Sequence, residues 1–148
     1  MGDEILEFAE AVGAADLKQL FDYSEFHGLF KRRNYFLLDQ NTFLIVGISR
    51  SEIRPFFGLR KGIFELFNKL TETTGTYYYV ALVSNKSGWV LPKSQIVNQI
   101  SKGSISYSKD QKSYKINNYN LKDQYGFTSI EGFRKRIGVA TEDRGVAS

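Results

Sequence analysis

Cysteine is absent from the chain, and histidine, methionine and tryptophan each occur once. Without thiols there is no disulfide scaffold, thiolate zinc site, iron–sulfur cluster or cysteine nucleophile. The single imidazole, His27, excludes a histidine-rich metal cage. No G-x-S-x-G elbow accompanies it, so His27 reads as a core or surface residue rather than the base of a triad. Walker A and G-x-G-x-x-G loops are missing too, and no nucleotide cofactor site is legible. No apolar run approaches the ~18 residues that a membrane-spanning helix needs. The first residues, MGDEILEFAEAV, carry no Lys or Arg before Lys18, unlike a secretory signal or a transit peptide. The expectation is an intracellular protein, cytoplasmic or in the nucleoid or nucleus, with no membrane contact.

What is present is ordinary globular material. The chain has 148 residues, 42% hydrophobic and 24% charged, which suits one domain with a sizeable core. Its charge is divided unevenly. Residues 1–25 hold seven acids and one base, a net of −6, whereas residues 26–148 hold 19 bases and nine acids, a net of +10. A basic body favours polyanions, nucleic acid above all.

Periodicity sets the element order. Ile5, Leu6, Ala9 and Val12 recur at helical spacing, Asp3 is placed to cap that helix, and Leu17, Leu20 and Phe21 extend the stripe. Tyr35–Leu38 and Phe43–Ile48 read as a hairpin around Asp39–Thr42. Its second strand is buried, and Gly47 within it marks a close approach by another element. A helix is predicted after Pro55, with Leu59, Ile63, Leu66, Phe67 and Leu70 inward, a start nearer Leu59, and an end at Gly75. Tyr77–Ser84 is the strongest strand. It returns through the turn Asn85–Gly88 into Trp89–Leu91, which Pro92 ends. Ser94–Ile100 reads as a short helix capped by Ser94. Ser104–Ser108 and Ser113–Ile116 form a third hairpin about the turn 109–112, residues 122–126 are loop, and Thr128 or Ser129 caps a last helix, Ile130–Ile137. The fold class is α+β, one domain over residues 1–137 with a mixed sheet of hairpins and helices packed on it; residues 138–148 read as a flexible tail.

Two sets of residues could carry function. Among the carboxylates, Asp39, Glu52 and Glu65 are candidates for a Mg²⁺ site, but no D-x-D-type motif unites them and Asp39 sits where turn chemistry alone would place it. The bases are better organised. Lys31, Arg32 and Arg33 precede Tyr35 and Phe36; Arg50, Arg54, Arg60 and Lys61 bracket Phe56 and Phe57. Lys109, Lys112 and Lys115 interleave with Tyr107 and Tyr114 in SYSKDQKSYK, and Arg134, Lys135 and Arg136 end the last helix. Lys93 stands at a helix start, against the dipole, where an anionic ligand would suit it. Bases contact phosphates and exposed tyrosines stack on nucleobases. The plainer reading of the Lys-bearing hairpin is protection of a sheet edge, and that of Arg134–Arg136 is complementing a helix C-terminus.

The order helix, strand pair, helix, strand over residues 1–92, with FLIVGISR and YYYVALVS as its strands, resembles the restriction-endonuclease-like, PD-(D/E)XK, superfamily. In that family an acidic residue precedes a strand bearing Glu-x-Lys, and the acids hold Mg²⁺. The resemblance puts Asp39 at the first acidic position and Gly47 and Ser49 at those of Glu and Lys. Glu52 or Glu65 would then have to supply the second carboxylate, and Arg50 or Lys61 the cation.

The leading expectation is therefore a nucleic-acid-binding domain, for DNA first, without catalysis or cofactor, an accessory of a mobile-element, restriction or defence system. The alternatives are a Mg²⁺-dependent nuclease with a displaced active site, and a protein-interaction or inhibitor module docking through residues 3–25. The acidic segment could also fold back over the basic surface and gate it.

Overall fold

The computed structural model of the chain describes residues 4–20, 24, 28, 34–39, 41–48, 56–84, 87–117, 120–121 and 123–137. Strand β1 (Ala15–Asp16), β2 (Tyr35–Asp39), β3 (Thr42–Ile48), β5 (Tyr77–Ser84), β6 (Ser87–Pro92) and β9 (Gly126–Phe127) form one sheet in the order β1-β2-β3-β5-β6-β9. Only β3 and β5 pair in parallel, from Thr42↔Tyr77 to Ile48↔Val83. A second sheet has the order β4-β8-β7, from β4 (Phe56–Arg60), β8 (Ser113–Asn117) and β7 (Ser106–Ser108).

Strand side chains alternate between faces, and both faces of the main sheet are covered. Phe43, Ile45, Tyr78, Val80 and Leu82 pack with Ile63 and Phe67 of helix α2 (Lys61–Thr74). Leu44, Val46, Tyr79, Ala81 and Val83 pack with Phe8, Ala9 and Val12 of α1 (Glu4–Val12) and with Phe133 and Ile137 of α4, residues 130–137. Burial on two sides is why β3 and β5 are continuous apolar runs rather than alternating ones. Phe67 centres the first layer, with its ring 5.3 Å from Phe43 and 5.9 Å from Tyr78. Glu4, Glu7 and Glu10 remain on the outside of α1.

Several expectations need correcting. Residues 56–60 are a strand, not the start of a helix. Their pairing with β8, Phe56↔Asn117 to Arg60↔Ser113, satisfies the backbone, and α2 begins only at Lys61. Leu17 is buried, but in a 3₁₀ turn (Leu17–Gln19) after β1, not in a continued helix. Helix α3 (Lys93–Ser101) has Pro92 at its N-cap; Ser94 lies inside the first turn, where its N–H donates to the Tyr77 hydroxyl at 2.8 Å. Strand β6 starts two residues before Trp89, so Ser87 and Gly88, expected in the turn, pair with Ser84 and Val83 as part of the strand. The third hairpin does not extend the main sheet but joins β4, and the presumed loop 122–126 leads into β9. Other expectations hold. Gly75 ends α2 at φ +69°, a conformation that favours glycine. Ser129 caps α4, its Oγ accepting from the Gly132 N–H at 3.0 Å. Asp3, Phe21, His27 and the tail 138–148 lie outside the described residues.

Gly47 is the joint between the sheets. A Cβ there would overlap the ring of Phe57 on β4, so the bare backbone of β3 is what admits that ring. We expect Gly47→Ala to cost about 1–3 kcal/mol by overpacking. The cost should shrink in a Phe57→Ala background. Denaturant unfolding of the two single variants and the double measures the coupling; strict additivity would remove this contact as the constraint.

Tyr78 is fully buried and donates from its hydroxyl to the Asn68 side-chain oxygen at 3.1 Å. Burial, with Tyr77 beside it, pushes its pKa well above the usual tyrosine range. The folded state thus resists losing this proton. Stability from Tyr78 is complete below about pH 10 and declines as pH rises beyond it. Tyr78→Phe should lose about 1 kcal/mol near neutral pH and show a smaller fall in Tm on the alkaline side.

Candidate nucleic-acid interface

The small sheet is two-faced. In β4 and β8, Phe57, Leu59, Tyr114 and Ile116 point to the core, and by register Tyr107 lies beside Tyr114 on that same face. Gly58, Arg60, Ser113 and Lys115 occupy the opposite face. The backbone N–H of Lys61 donates to the carbonyl of Lys112 at 2.9 Å, so the start of α2 is tied to the hairpin turn. Lys112 itself takes φ +52°, a turn conformation. Arg60, Lys61, Lys109, Lys112 and Lys115 are thereby gathered at one end of the molecule. Their nearest acids in sequence are Asp110, in the same turn, and Glu65, 3.8 Å from the Lys61 ammonium in an exposed pair.

An aromatic row runs from α2 across the hairpin, past Lys61. The Phe64 ring meets Tyr114 at 5.1 Å, and Tyr114 meets Tyr107 at 5.1 Å. Tyr107 is 38% exposed, the one large apolar side chain so exposed among the described residues. The Lys61 ammonium stands 5.8 Å from its ring centre, within cation–π range. A partly anchored, partly open ring beside a cation has the geometry to stack on a planar group.

A cleft of about 400 Å³ lies between the small sheet and the neighbouring part of β2 and β3. Asn34, Tyr35 and Ile45 line one side; Phe57, Gly58, Leu59, Arg60, Gln111, Ser113 and Lys115 line the other. Among the described lining residues, the charged ones are Arg60 and Lys115, both cations. The Lys115 ammonium donates to the Gln111 side-chain oxygen, and Asn34 donates to the Val46 carbonyl at 2.9 Å, which holds the walls in place. Helix α2 starts on this rim with Arg60 as N-cap, no capping side chain and no acid in its first turn. Cations there oppose the helix dipole, and an anion would relieve the conflict.

The other expected contacts are dispersed. The Lys93 ammonium donates to Thr71 Oγ1 at 2.7 Å, near the far end of α2. Arg134 donates to the Ala11 carbonyl and Arg136 to the Gly126 carbonyl, each at 3.0 Å, so both side chains tie α4 to neighbouring elements instead of serving its own C-terminus. Lys31, Arg32, Arg33, Arg50 and Arg54 lie outside the described residues.

The carboxylates are not brought together. Asp39 accepts from the Asn41 N–H at 2.8 Å, and Asn41 in turn accepts from Tyr77 just beyond the C-terminal end of α2. Glu65 sits on α2 ten residues before its Gly75 cap, roughly 15 Å of helix rise away. Glu52 is outside the described residues, and among those described no three potential metal ligands cluster. At Gly47, the position that the family resemblance gives to a glutamate, the Phe57 ring fills the space a side chain would need.

Of the acidic segment, the part described as helix α1 lies away from the small sheet. Helix α1 packs on one face of the main sheet; α2 and the small sheet pack on the other. Sequence reasoning missed the cleft partners Asn34, Gln111 and Ser113. The alternation in SYSKDQKSYK already put Ser113 and Lys115 on one face, but nothing local could pair that face with Asn34. Among the described residues, no helix is long and apolar enough to cross a membrane.

No protein-family profile matches the chain, and no curated protein does. A solved structure, that of Hjc, a Holliday junction resolvase from the archaeal hyperthermophile Archaeoglobus fulgidus, aligns with 90% of this chain and 95% of its own. The identity is 18% and the TM-score 0.43. An alignment that loose defines no shared site.

The aromatic row makes a direct prediction. Tyr107→Ala should change stability by less than about 0.5 kcal/mol, whereas Tyr114→Ala, which uncouples Phe64 from the hairpin, should cost about 3 kcal/mol. Equal losses would mean that Tyr107 is a core residue and not an open platform.

Proposed function

We propose that this chain binds nucleic acid, DNA first, by its sugar–phosphate backbone at the small sheet, and does so without cutting it. The observation that carries this reading is that Arg60 and Lys61 at the β4–α2 junction are tied to the hairpin that bears Lys109, Lys112, Lys115 and the exposed Tyr107, with the Lys61 ammonium 5.8 Å from the Tyr107 ring centre. Three lines that sequence alone kept apart, the β4–α2 junction, the hairpin turn and the Tyr/Lys strands, converge there. Lysines and arginines neutralise phosphates and release counterions; the tyrosine stacks on a base or packs along a sugar. Non-catalytic binding is supported by the wide separation of Asp39 and Glu65 and by the filled space over Gly47.

Fluorescence anisotropy with labelled duplex DNA, titrated across a salt series, tests it. Binding should weaken steeply with salt. The Lys109→Glu/Lys112→Glu/Lys115→Glu variant should bind more weakly and with a flatter slope, by up to about 0.9 per lost phosphate contact. Circular dichroism confirms that the variant is folded. Wild-type affinity in that variant would overturn the assignment of the hairpin, and no binding at low salt would overturn the function. A parallel incubation of linear and branched DNA with Mg²⁺ or Mn²⁺ reads cleavage. Products that disappear with Asp39→Ala, Glu52→Ala or Glu65→Ala would replace binding alone with a metal-dependent nuclease.

A further inference from the structure

In a duplex the bases are stacked face to face, and a protein reaches only their edges and the phosphates. An open ring gains most against a base that has left the stack. Tyr107 is such a ring. It lies on β7, the terminal strand of the small sheet, and is the one exposed large apolar side chain among the described residues. Tyr114 backs it at 5.1 Å, and Phe64 of α2 backs Tyr114 at the same spacing. A ring seated on such a row has already lost part of its freedom, so ordering it under a base costs little more.

The nearest cation can serve the phosphate beside that base. The Lys61 ammonium is 5.8 Å from the ring centre, and its pair with Glu65 is exposed and 3.8 Å long. A pair of that kind holds weakly, so the ammonium can turn to a phosphate. Lys109 follows Tyr107 by two residues and is exposed as well.

The same hairpin is poorly made for entering a duplex groove. Strand β7 is three residues long, and Asp110 stands in the turn between Lys109 and Lys112. A carboxylate pressed into a groove meets the phosphates of both strands. None of the described helices offers a face of cations instead. Helix α1 carries Glu4, Glu7 and Glu10, and the exposed stripe of α2 alternates in sign through Lys61, Glu65, Lys69 and Glu72. Lys93 at the start of α3 is bonded to Thr71, and Arg134 and Arg136 of α4 are bonded to carbonyls.

We propose that the small sheet takes an unpaired segment of a nucleic acid strand, with one base lying on Tyr107 and the neighbouring phosphates at Lys61 and Lys109. This rests on the backbone-binding reading and adds the state of the strand to it: single, not duplex.

Anisotropy of the full chain with labelled oligothymidylate, with its duplex on oligoadenylate, and with an abasic strand of the same length tests the proposal. At matched salt the single strand should bind more tightly than the duplex. Tyr107→Ala should cost the single strand about tenfold, the share of one stacked base, and cost the duplex and the abasic strand much less. Tyr107→Phe, which keeps the ring, should restore the single-strand affinity. Circular dichroism shows whether the variants are folded, and the abasic comparison on the wild-type chain needs no variant: removing the bases while keeping the phosphates should weaken its binding about tenfold. Oligouridylate run in parallel names the strand, DNA or RNA, by which of the two binds more tightly with the same Tyr107 dependence.

Equal wild-type affinity for the abasic strand and oligothymidylate overturns the base contact, as does a Tyr107→Ala loss of the same size on all three ligands. Tighter binding of the duplex overturns the preference for an unpaired strand. In each of these cases the backbone reading survives. Absence of binding to every ligand at low salt is the separate failure of that reading, and the proposal falls with it.

Discussion

The parallel pairing of β3 with β5 shapes the rest of the molecule. Two adjacent parallel strands cannot be joined by a tight turn; the chain must cross over one face of the sheet and return to the starting end. Helix α2 makes that crossing, and the layer of Ile63 and Phe67 on Phe43, Ile45 and Tyr78 holds it down. The first described element of the crossover is not a helix but β4, whose backbone must find a partner away from the main sheet and finds β8. The small sheet is thus a consequence of the crossover, and Phe57 over Gly47 locks the two layers in register.

This arrangement also places the charge. The acids of α1 face solvent on one side of the main sheet, where Arg134 of α4 reaches the Ala11 carbonyl of α1, and the cations of β4, the start of α2 and the hairpin turn lie on the other. Exposed charges farther apart than the ~8 Å screening length at physiological ionic strength act largely independently, so each cluster is felt by what approaches it rather than through the net charge of the chain.

How much of this was legible depends on the range of the interaction. Tyr77–Ser84 and Phe43–Ile48 were readable because a strand buried on both faces announces itself by composition alone. The last helix was readable because Ser129 and the apolar spacing act locally. Strand β4 was not, because Pro55, Gly58 and the helical spacing from Leu59 onward describe a helix until β8, more than fifty residues later, offers hydrogen bonds. The site divides in the same way. The Tyr/Lys hairpin could be seen in SYSKDQKSYK, and Arg60 and Lys61 in their own cluster. That the two clusters touch rests on one backbone bond, Lys61 to Lys112, which no periodicity encodes. Conversely, Lys93, Arg134 and Arg136 read as ligand contacts from charge alone, yet each spends a donor on another element of the fold.

The kind of charge at the small sheet bears on what it can do. Ammonium and guanidinium groups bind a phosphodiester as it is, and bind it about as well when a bond to phosphorus is breaking. Interactions equal in the ground and transition states lower a dissociation constant without raising a rate. Acceleration needs groups that engage only as charge develops, such as a metal-bound water held by converging carboxylates. Asp39 is occupied in a turn at one end of α2, and Glu65 lies near the other. Gly47 has a ring where a side chain would have to fit. Cations brought together while the described acids are kept apart are what the proposed reading, binding without cutting, would need.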